Sequence, residues 1–440
     1  MKHVCIIELM PIPQTIGGVP THIIELAKSL AEKGWKVSVI SSKSEEKSDL
    51  KIKNIDFYHV GLKHKKFEDF KGIKKPYYLI WRFFFEISFI ISSYKLIKKL
   101  SPDIINTEGL ASHAIPAYLS GKPFVSTAHG IHSYGFKKLY KLKGQKIFSN
   151  IFSKIFLFLE TFIAKRAKKI ICLGKDTFNF YSKYGSCIII PNAINTSHYA
   201  FKNKSRKKKI LFVGRLSQEK GLDKLLKAIS MIKSSCPKIF LEILGKGKEK
   251  EKLKELKKGM DIEDIINWSD YIEHKELKKK YQGADLFVLP STAPENSPLS
   301  ILESMSQGTP VITTNLGGQK ELVKHGKTGF LVRPRDSKDL AQKIKIILED
   351  KKLQRKMSKN CLKEARKFSP EEHVKKIEEL FSSLIDRKRK KMLGGQKIKL
   401  PDYTKFWDGR DKNPNYDVGY ILRRRETANN ILLKGSVVLL

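Results

Sequence analysis

Cysteine is scarce in this sequence and never occurs in a paired motif. The five cysteines are scattered, no C-x-x-C pair is present, and the total is odd. Disulfide frameworks and zinc sites are usually recognised by regularly spaced cysteines. The pattern therefore argues against both and fits a protein of the reducing cytosol. The cysteines are Cys5, Cys172, Cys187, Cys236 and Cys361.

Acidic residues are few relative to basic ones. The chain carries 86 Lys and Arg against 45 Asp and Glu, a formal net charge of +41. Such a chain attracts anionic partners, among them nucleic acid, an anionic membrane surface and phosphorylated small molecules. The lysines are dispersed and no nucleic-acid-binding module is recognisable, which disfavours nucleic acid. A basic nucleic-acid-binding protein is therefore kept only as an alternative.

Long uninterrupted apolar runs are missing as well. The most apolar window, residues 77–94, is interrupted by Arg82 and Glu86, and it falls short of the roughly 20 apolar residues that a spanning helix needs. It predicts a packed or interfacial helix. The amino terminus carries an early acid, Glu8, and lacks the long apolar core of a signal peptide, which argues against secretion.

The sequence does contain a repeated alternation of strands and helices. Short apolar runs predict nine strands, with helical periodicity between them. Strands that alternate with helices indicate an α/β protein with parallel, doubly wound sheets. The predicted strands are HVCIIEL (3–9), WKVSVIS (35–41), PDIINTEG (102–109), PFVSTAHG (123–130), KKIICLG (168–174), ILFVG (210–214), IFLEILG (239–245), LFVLPS (286–291) and PVITT (310–314).

The 440 residues suit two domains and an appendage, because single cores rarely exceed about 250 to 300 residues. We expect a first Rossmann-like domain over residues 1–200 and a second over residues 201–385, joined at the basic stretch 201–209. The last helix, about 370–385, closes the second domain and is a candidate to pack back on the first. Ligands of such proteins bind at the carboxyl ends of the strands, here in the cleft between the domains.

The segment GRLSQEKGLDKLL follows directly on a predicted strand. Gly214 allows a close turn, Arg215 and Lys220 supply positive charge, and the helix that begins near Gly221 directs its positive end to the same place. This combination suits a diphosphate. An ordinary strand-to-helix loop with surface cations is the alternative, and the spacing alone does not choose between them.

Two other glycine loops are weaker signals. Gly17 and Gly18 lie between the first strand and the first helix, and Gly245 and Gly247 form a G-x-G after a strand. Each allows close approach of an anion to the backbone. The second pair lacks the third glycine and the acid of a dinucleotide fingerprint, and glycines also simply make turns.

The segment PENSPLSILESM contains two acids eight positions apart. Glu295 is predicted in the loop at the carboxyl end of a strand, and Glu303 in the helix that follows. A carboxylate can accept two hydrogen bonds and therefore suits sugar hydroxyls. The alternative is a helix-entry acid and an unrelated surface acid.

Taken together, these loops resemble the sugar-nucleotide-dependent retaining glycosyltransferases of family 4, which have the two-domain GT-B fold. The resemblance covers residues 1 to about 385 and rests on PIPQTIGGVPTHIIELAKSLAEKG, GRLSQEKGLDKLL and PENSPLSILESMSQGTPVITTNLGGQKELV. Glu295 and Glu303 fill the family's E-x7-E signature. The resemblance implies a catalytic set of His129, Arg215, Lys220 and Glu295. It implies donor contacts from Gly17, Gly18, Gly214, Arg215, Lys220, Gly245, Glu295, Asn296, Ser297, Leu299 and Glu303.

The roles implied by the resemblance are specific. Arg215 and Lys220 bind the donor diphosphate, Glu303 holds the ribose, and Glu295 contacts the transferred sugar. His129, in STAHGIH, occupies the family's active-site histidine position, with His132 a weaker candidate. The segment IIPNAIN departs from the usual P-N-G-x-D, which puts its donor contacts in doubt. Glu108 stands where many relatives have histidine, which bears on the acceptor.

The implied reaction moves a hexosyl group from a UDP- or GDP-sugar to an acceptor hydroxyl with retention of configuration. No second carboxylate is placed as a nucleophile, which suggests front-face attack. Cations and helix N-termini can neutralise the diphosphate, and no D-x-D motif is present, so no metal or other cofactor is expected.

The acceptor is expected to be lipid-linked or a glycan, in cell-envelope glycolipid, polysaccharide or glycan assembly. Residues 137–169 combine bulky apolar side chains with many lysines, as a helix on an anionic membrane surface does. A core helix with a basic outer face explains the pattern equally well. The expected location is the cytoplasm or the inner face of the cell membrane. An enzyme acting on a soluble sugar or sugar phosphate remains an alternative.

Residues 386–440 differ in character from the rest of the chain. A basic run is followed by an aromatic segment, a helix-like stretch and a terminal apolar run. Residues 403–440 resemble the opening of a methyltransferase that ends before its cofactor-binding loop. A truncated fusion and a plain basic tail are both consistent with this segment.

Overall fold

The fold was derived from a computed structural model of the 440-residue chain. The structure describes residues 1–12, 17–44, 52–65, 77–131, 133–134, 146–194, 208–270 and 274–392. The predicted appendage beyond residue 392, His132, Asn195 and most of the basic stretch 201–209 lie outside the described residues. Elements are numbered along the chain.

Two parallel sheets organise the described residues. The first has seven strands in the order β3-β2-β1-β4-β5-β6-β7, and the second has six in the order β10-β9-β8-β11-β12-β13. Every pair of neighbouring strands is parallel. The strands are β1 (His3–Ile7), β2 (Lys36–Lys43), β3 (Ile55–Lys63), β4 (Ile104–Thr107), β5 (Phe124–Ala128), β6 (Lys169–Cys172), β7 (Cys187–Ile189), β8 (Lys208–Val213), β9 (Ile239–Leu244), β10 (Ile266–Ser269), β11 (Leu286–Leu289), β12 (Val311–Thr314) and β13 (Gly329–Val332).

Helices connect most of the consecutive strands, as parallel pairing favours. The predicted α/β architecture of two doubly wound sheets is confirmed. The helices are α1 (Gly18–Glu32), α2 (Tyr77–Leu100), α3 (Ile115–Leu119), α4 (Lys146–Ala164), α5 (Lys175–Tyr181), α6 (Leu222–Ile232), α7 (Lys250–Lys258), α8 (His274–Gly283), α9 (Leu299–Ser306), α10 (Gln319–Leu322), α11 (Ser337–Glu349), α12 (Lys351–Ala365) and α13 (Pro370–Met392).

The sequences of the central strands are nearly continuous apolar runs, because helices cover both faces of the sheet there. All four residues of β11 are buried, as are those of β4. The four strands that the sequence pattern missed, β3, β7, β10 and β13, are the outermost strands of the two sheets. Their residues are mixed in burial, so they lack the continuous apolar signal of a central strand.

The strand order changes direction between β1 and β4 in the first sheet and between β8 and β11 in the second. Loops after neighbouring strands at such a switch point diverge to opposite faces and leave a crevice, where ligands of α/β proteins bind. The loops after β8 and β11 are the two that carry the predicted diphosphate and sugar contacts.

The last helix, α13, returns to the first sheet and extends to Met392, beyond the predicted end at residue 385. Its buried apolar residues belong to the same core as those of α1. Trp35 donates a hydrogen bond from Nε1 to Glu378 (3.1 Å), and its ring packs edge-on against Phe381. The carboxyl-terminal end of the fold is therefore fixed against the amino-terminal sheet.

Among the described residues, no helix combines the length and the hydropathy needed to span a bilayer. The apolar window at 77–94 forms most of α2, a single helix that packs on β3 and α3. Phe85 and Phe89 of this helix are buried, whereas Phe83 and Phe84 are exposed.

Candidate active site

The loop after β8 holds the residues that were predicted to bind a diphosphate. Gly214 directly follows the strand, Arg215 is exposed, and Lys220 ends a short 3-10 turn. Gly221 adopts a φ of 67°, and a Cβ there would lie 2.1 Å from the Pro290 carbonyl oxygen. Only glycine fits this position, since both the left-handed backbone and the close contact exclude a side chain. Helix α6 starts at the next residue, so its positive end lies beside the loop.

The loop after β11 is joined to this first loop by hydrogen bonds. The amide of Thr292 donates to the Glu219 carbonyl (2.7 Å). Lys220 Nζ lies 2.6 Å from Glu295 Oε2, and both side chains are less than one fifth exposed. Ser291 donates to the other carboxylate oxygen of Glu295. Lys220, the cation predicted to bind phosphate, is therefore in direct contact with Glu295, the carboxylate predicted to bind the sugar. The two residues are 75 positions apart, so the sequence alone did not reveal this contact.

Gly214 and Gly245 contact each other at the ends of β8 and β9. A Cβ on Gly245 would lie 1.9 Å from the Gly214 carbonyl oxygen, and the Gly214 amide donates to Leu244 (3.0 Å). Close backbone packing thus explains why Gly245 is glycine. Its predicted donor contact remains a prediction.

Glu303 lies on α9, the helix that directly follows the loop of Glu295. Tyr281 donates from its hydroxyl to Glu303 Oε2 (2.8 Å). Burial, and then the charge of Glu303, raise the pKa of Tyr281 well above its ordinary value, so the phenol remains a donor at all relevant pH values. Tyr281 was not identified from the sequence, because a buried tyrosine in a helix is more often a core residue.

The segment GGQKE, residues 317–321, packs against the backbone of the loop that carries Glu295. The Gly318 amide donates to the Glu295 carbonyl (2.6 Å). A Cβ on Gly318 would lie 1.6 Å from the Asn296 carbonyl oxygen. The two backbones touch, which fixes the direction in which Glu295 leaves the loop.

The same loop also contacts the amino-terminal half of the chain. Asn296 donates from Nδ2 to the His129 carbonyl (2.5 Å), and Asn192 donates to the Ser297 carbonyl (2.9 Å). Asn192 belongs to the PNAI turn that departs from the family pattern. In this structure the turn holds the loop after β11 through a side-chain amide, a role that the sequence analysis did not assign.

The two amino-terminal glycines lie near this contact. Gly17 caps α1, and its carbonyl accepts from the amide and hydroxyl of Thr21. A Cβ on Gly18 would lie 3.9 Å from Leu299 Cδ1. Gly18 and Leu299, predicted from distant parts of the sequence, are therefore neighbours.

His129 turns its side chain toward Glu108, with Nε2 2.7 Å from Oε2. Burial lowers the pKa of His129 to about 4. Burial also raises the pKa of Glu108 to about 7, an effect that nearby His22 and the hydrogen bond from Asn106 oppose. The family's histidine position and the atypical Glu108 thus form a pair.

His22 on α1 is the third member of this group and was missed from the sequence. Its Nε2 lies 3.7 Å from Glu108 Oε2, and its ring packs edge-on against those of His129 and His373. Burial lowers the pKa of His22 to about 3. The available signal was its position one turn into a helix that follows two glycines, on the helix face that carries Ile23 and Leu26 into the core.

Comparison with known proteins agrees with this arrangement of loops. The family model described as "Glycosyltransferase Family 4" matches residues 16–198, and the one described as "Glycosyl transferases group 1" matches residues 194–364. The chain belongs to glycosyltransferase family 4. The resemblance inferred from the loops is thereby confirmed.

Relatives of this glycosyltransferase match it over most of its length. An uncharacterised glycosyltransferase of Methanocaldococcus jannaschii is 25% identical over 368 residues, 77% of this chain and 87% of the relative. The Escherichia coli UDP-Gal:alpha-D-GlcNAc-diphosphoundecaprenol alpha-1,3-galactosyltransferase is 29% identical over 326 residues, 68% of this chain and 80% of the relative. The solved structure of sucrose-phosphate synthase from Thermosynechococcus elongatus aligns with a TM-score of 0.75 at 21% identity, covering 88% of this chain and 100% of that one. The predicted GT-B fold is confirmed.

A second contact between the halves of the glycosyltransferase involves Glu321 of α10. Both of its carboxylate oxygens accept from the Lys175 amide at the start of α5, at 2.9 and 3.2 Å. Burial raises the pKa of Glu321 to about 7, although this hydrogen bond and the charge of Lys175 act in the opposite direction. The carboxyl group is therefore protonated more readily in the folded chain than in the unfolded one.

This difference predicts a pH-dependent stability. The contribution of Glu321 is fully present below its unfolded pKa of about 4.5 and is lost as the pH rises through about 7. Between pH 5 and pH 8, the Tm of the Glu321→Gln variant should therefore fall by several degrees less than that of the wild type. Thermal melts at matched ionic strength measure this, with the exposed Glu371→Gln as control. Parallel Tm curves for wild type and Glu321→Gln would contradict the assignment.

Proposed function

We propose that this glycosyltransferase moves a hexosyl group from a nucleotide-diphosphate sugar to an acceptor hydroxyl, with retention of configuration. The observation that carries the proposal is the 2.6 Å contact between Lys220 and Glu295. It brings a phosphate-binding cation and a sugar-binding carboxylate to the carboxyl ends of β8 and β11. The name of the Escherichia coli relative specifies UDP-Gal as its donor, which supports a UDP-sugar here, with a GDP-sugar as the alternative.

The donor is proposed to lie across the two loops. Its ribose hydroxyls bind Glu303, its diphosphate lies between Gly214 and Lys220, and its sugar reaches Glu295. Ser297 supports this placement, because its hydroxyl is buried and has no hydrogen-bond partner among the described residues. A buried hydroxyl of this kind costs free energy unless a ligand satisfies it.

Departure of the nucleotide is the step that the cations accelerate. Negative charge builds on the leaving diphosphate. Lys220, which Glu295 holds in place, the exposed Arg215 and the start of α6 lie beside its proposed position. Preorganised positive groups stabilise such charge more strongly in a partly buried site than in water. These groups can neutralise the diphosphate without a metal ion, which is why none is proposed at this position.

Retention is proposed to follow from front-face attack. The departing phosphate oxygen takes the proton of the acceptor hydroxyl while the acceptor oxygen forms the new bond at the anomeric carbon. Glu295 is already occupied by Lys220 and Ser291, which suits a carboxylate that orients the sugar better than one that attacks it.

A lipid-linked acceptor in cell-envelope assembly is proposed, and its support comes from the surface of the amino-terminal half. Exposed apolar side chains cluster on three neighbouring helices, since α3 packs on α2 and the rings of Tyr118 and Phe162 contact each other at 5.3 Å. We call this the apolar face. Its members are Ile80, Phe83, Phe84, Ile87 and Ile91 of α2, Tyr118 and Leu119 of α3, and Ile155 and Phe158 of α4.

The occupant proposed for the apolar face is an anionic membrane surface. Lys98 and Lys99 end α2, and Arg166 follows α4, so positive charge borders the face. Apolar side chains between cations are typical of helices that lie in the headgroup region. The Escherichia coli relative acts, by its name, on a diphosphoundecaprenol-linked sugar. A soluble sugar or sugar phosphate is the alternative acceptor.

Loss of either diphosphate cation should remove most of the activity. Lys220→Ala and Arg215→Ala should each lower kcat at least about 100-fold, the usual cost of losing one group that stabilises transition-state charge. Turnover of a panel of UDP- and GDP-sugars measures this. The control is Lys224→Ala, which removes a neighbouring lysine that pairs with Asp223. Near-normal turnover in both variants, with Tm unchanged, would refute the assignment.

The two acids of the E-x7-E signature should separate nucleotide binding from transfer. Glu303→Gln should weaken UDP or GDP binding, because it removes a carboxylate oxygen that accepts a hydrogen bond from the ribose hydroxyls. Glu295→Gln should reduce transfer while leaving nucleotide affinity near that of the wild type. Calorimetric titration with the nucleotides, with an oligonucleotide as control ligand, and turnover assays test the division. Loss of nucleotide affinity with retained turnover in Glu295→Gln would reverse the roles.

Membrane binding should depend on both charge and the apolar face. The protein should sediment with anionic vesicles at low salt and less at high salt, since screening weakens the attraction. Phe83→Ser combined with Phe158→Ser should reduce binding, whereas Met231→Ser, an exposed side chain on α6, should not. Absence of binding to anionic vesicles would remove the membrane proposal and favour a soluble acceptor.

A further inference from the structure

The segment that follows β5 carries His129 and contacts the loop after β11. We call its described residues, 129–131 and 133, the β5 segment. Asn296 donates from Nδ2 to the His129 carbonyl (2.5 Å), and a Cβ on Gly130 would lie 3.7 Å from the same nitrogen. The resemblance to family 4 assigns the His129 side chain to the donor sugar. The path of the β5 segment therefore decides where a residue of the implied catalytic set points.

Two fully buried side chains, one from α4 and one from α5, hold the β5 segment. Glu160 of α4 accepts at Oε2 from the Ser133 amide (3.1 Å). Tyr181 of α5 has its hydroxyl oxygen 2.7 Å from Glu160 Oε1 and 3.1 Å from the Gly130 carbonyl oxygen. A carbonyl near the start of the β5 segment and an amide at its end are thus joined through one carboxyl group and one phenol.

Ser133 is fixed by α4 through both of its backbone polar groups. Its amide donates to Glu160, and its carbonyl accepts from Ser153 Oγ on the same helix (3.1 Å). Residues seven positions apart lie on one face of a helix, two turns from each other. One face of α4 therefore holds the end of the β5 segment.

The hydroxyl of Tyr181 remains a hydrogen-bond donor in this arrangement. Burial, and then the charge of Glu160, raise the pKa of Tyr181 well above its ordinary value. The single hydroxyl hydrogen is shared between Glu160 and the Gly130 carbonyl, since a phenol has only one to donate. Tyr181 thereby transmits the position of α4 to the residue next to His129.

A carboxyl group is an unusual side chain for this place in the fold. Glu160 is the only acid among residues 146–164, and Ile163 and Ala164, which follow it on α4, belong to an apolar core. Burying a carboxyl group costs free energy that only its hydrogen bonds offset. An apolar side chain would fill the same volume without that cost. The contacts with the β5 segment account for an acid here.

We propose that Glu160 and Tyr181 are positioning residues, which hold the β5 segment so that the imidazole of His129 is aimed at the donor sugar. The inference rests on the proposed function, because it takes the donor site described there. Neither residue is assigned a contact with the donor. Their loss should slow transfer and leave nucleotide affinity unchanged, since Lys220 and Glu303, which bind the nucleotide, belong to the other half of the chain.

A double-mutant cycle in the full-length protein tests the role of Tyr181. Tyr181→Phe should lower kcat about 10-fold, because small misplacements of a positioned group can cost up to about 100-fold in rate. Release of UDP or GDP from the nucleotide-sugar panel measures kcat, and calorimetry should show unchanged UDP or GDP affinity. In a His129→Ala background the same substitution should lower kcat less than about 2-fold, because the group through which Tyr181 acts is already gone. Tyr184→Phe is the matched control, since the Tyr184 ring packs against Phe180, and it should leave kcat unchanged.

Glu160 provides an independent test through a conservative substitution. Glu160→Gln keeps an oxygen that can accept from the Ser133 amide and an amide that can donate to the Tyr181 hydroxyl, so kcat should stay within about 3-fold of the wild type. Glu160→Leu removes both contacts and should lower kcat at least about 10-fold. Thermal melts establish which variants fold, and Tyr181→Phe carries the test if Glu160→Leu does not.

Equal effects of Tyr181→Phe on kcat with and without His129 would show a merely structural role and overturn the inference. Normal wild-type turnover, abolished by Lys220→Ala, would in that case leave the proposed function standing. Absence of wild-type turnover with every donor would overturn both.

Nuclear magnetic resonance replaces the cycle where His129→Ala leaves too little turnover to measure. In protein with isotope-labelled histidine, Tyr181→Phe should shift the imidazole signals of His129. It should leave those of His59, which pairs with Ser41 on another strand, unchanged. Unchanged His129 signals would overturn the inference.

Discussion

The contact between Lys220 and Glu295 holds together two loops that are 75 residues apart in the chain. It can form because parallel strands place the loops that follow them at one edge of the sheet, and β8 and β11 are neighbours at the point where strand order reverses. Gly221 and Gly318 make the contact sterically feasible, since a side chain at either would collide with the opposing backbone. The proposed chemistry depends on this geometry: a cation and a carboxylate are positioned for a diphosphate and its sugar.

The amino-terminal half completes the site through a few polar contacts. Asn296 binds the His129 carbonyl, Asn192 binds the Ser297 carbonyl, and Glu321 binds the Lys175 amide. Helix α13 adds an apolar connection by packing on α1. The hydrogen bonds align the loops, whereas the buried apolar surface of α13 supplies most of the attraction, because a single hydrogen bond contributes only about 1 kcal/mol net.

Central strands and the glycine-rich loops were predictable because local sequence determines them. Buried parallel strands require apolar runs, and GRLSQEKG and PENSP lie in the loops that come after such runs. The edge strand β3 was not predictable in the same way, since one side of it faces solvent and its residues are mixed. Tyr281, Asn192 and His22 were missed for a different reason. Each lies far in sequence from the residue it contacts, and none belongs to a local pattern that indicates a ligand.

The sequence alone determined the α/β class, the resemblance to family 4 and the positions of the two signature acids, all of which depend on residue spacing within short segments. Tertiary structure decided which of those residues meet. It paired Glu295 with Lys220 and Glu303 with Tyr281, and it turned His129 toward Glu108 and His22. The physical reason is that strand order and helix packing, rather than distance along the chain, decide which side chains share a buried site and therefore which pKa values shift.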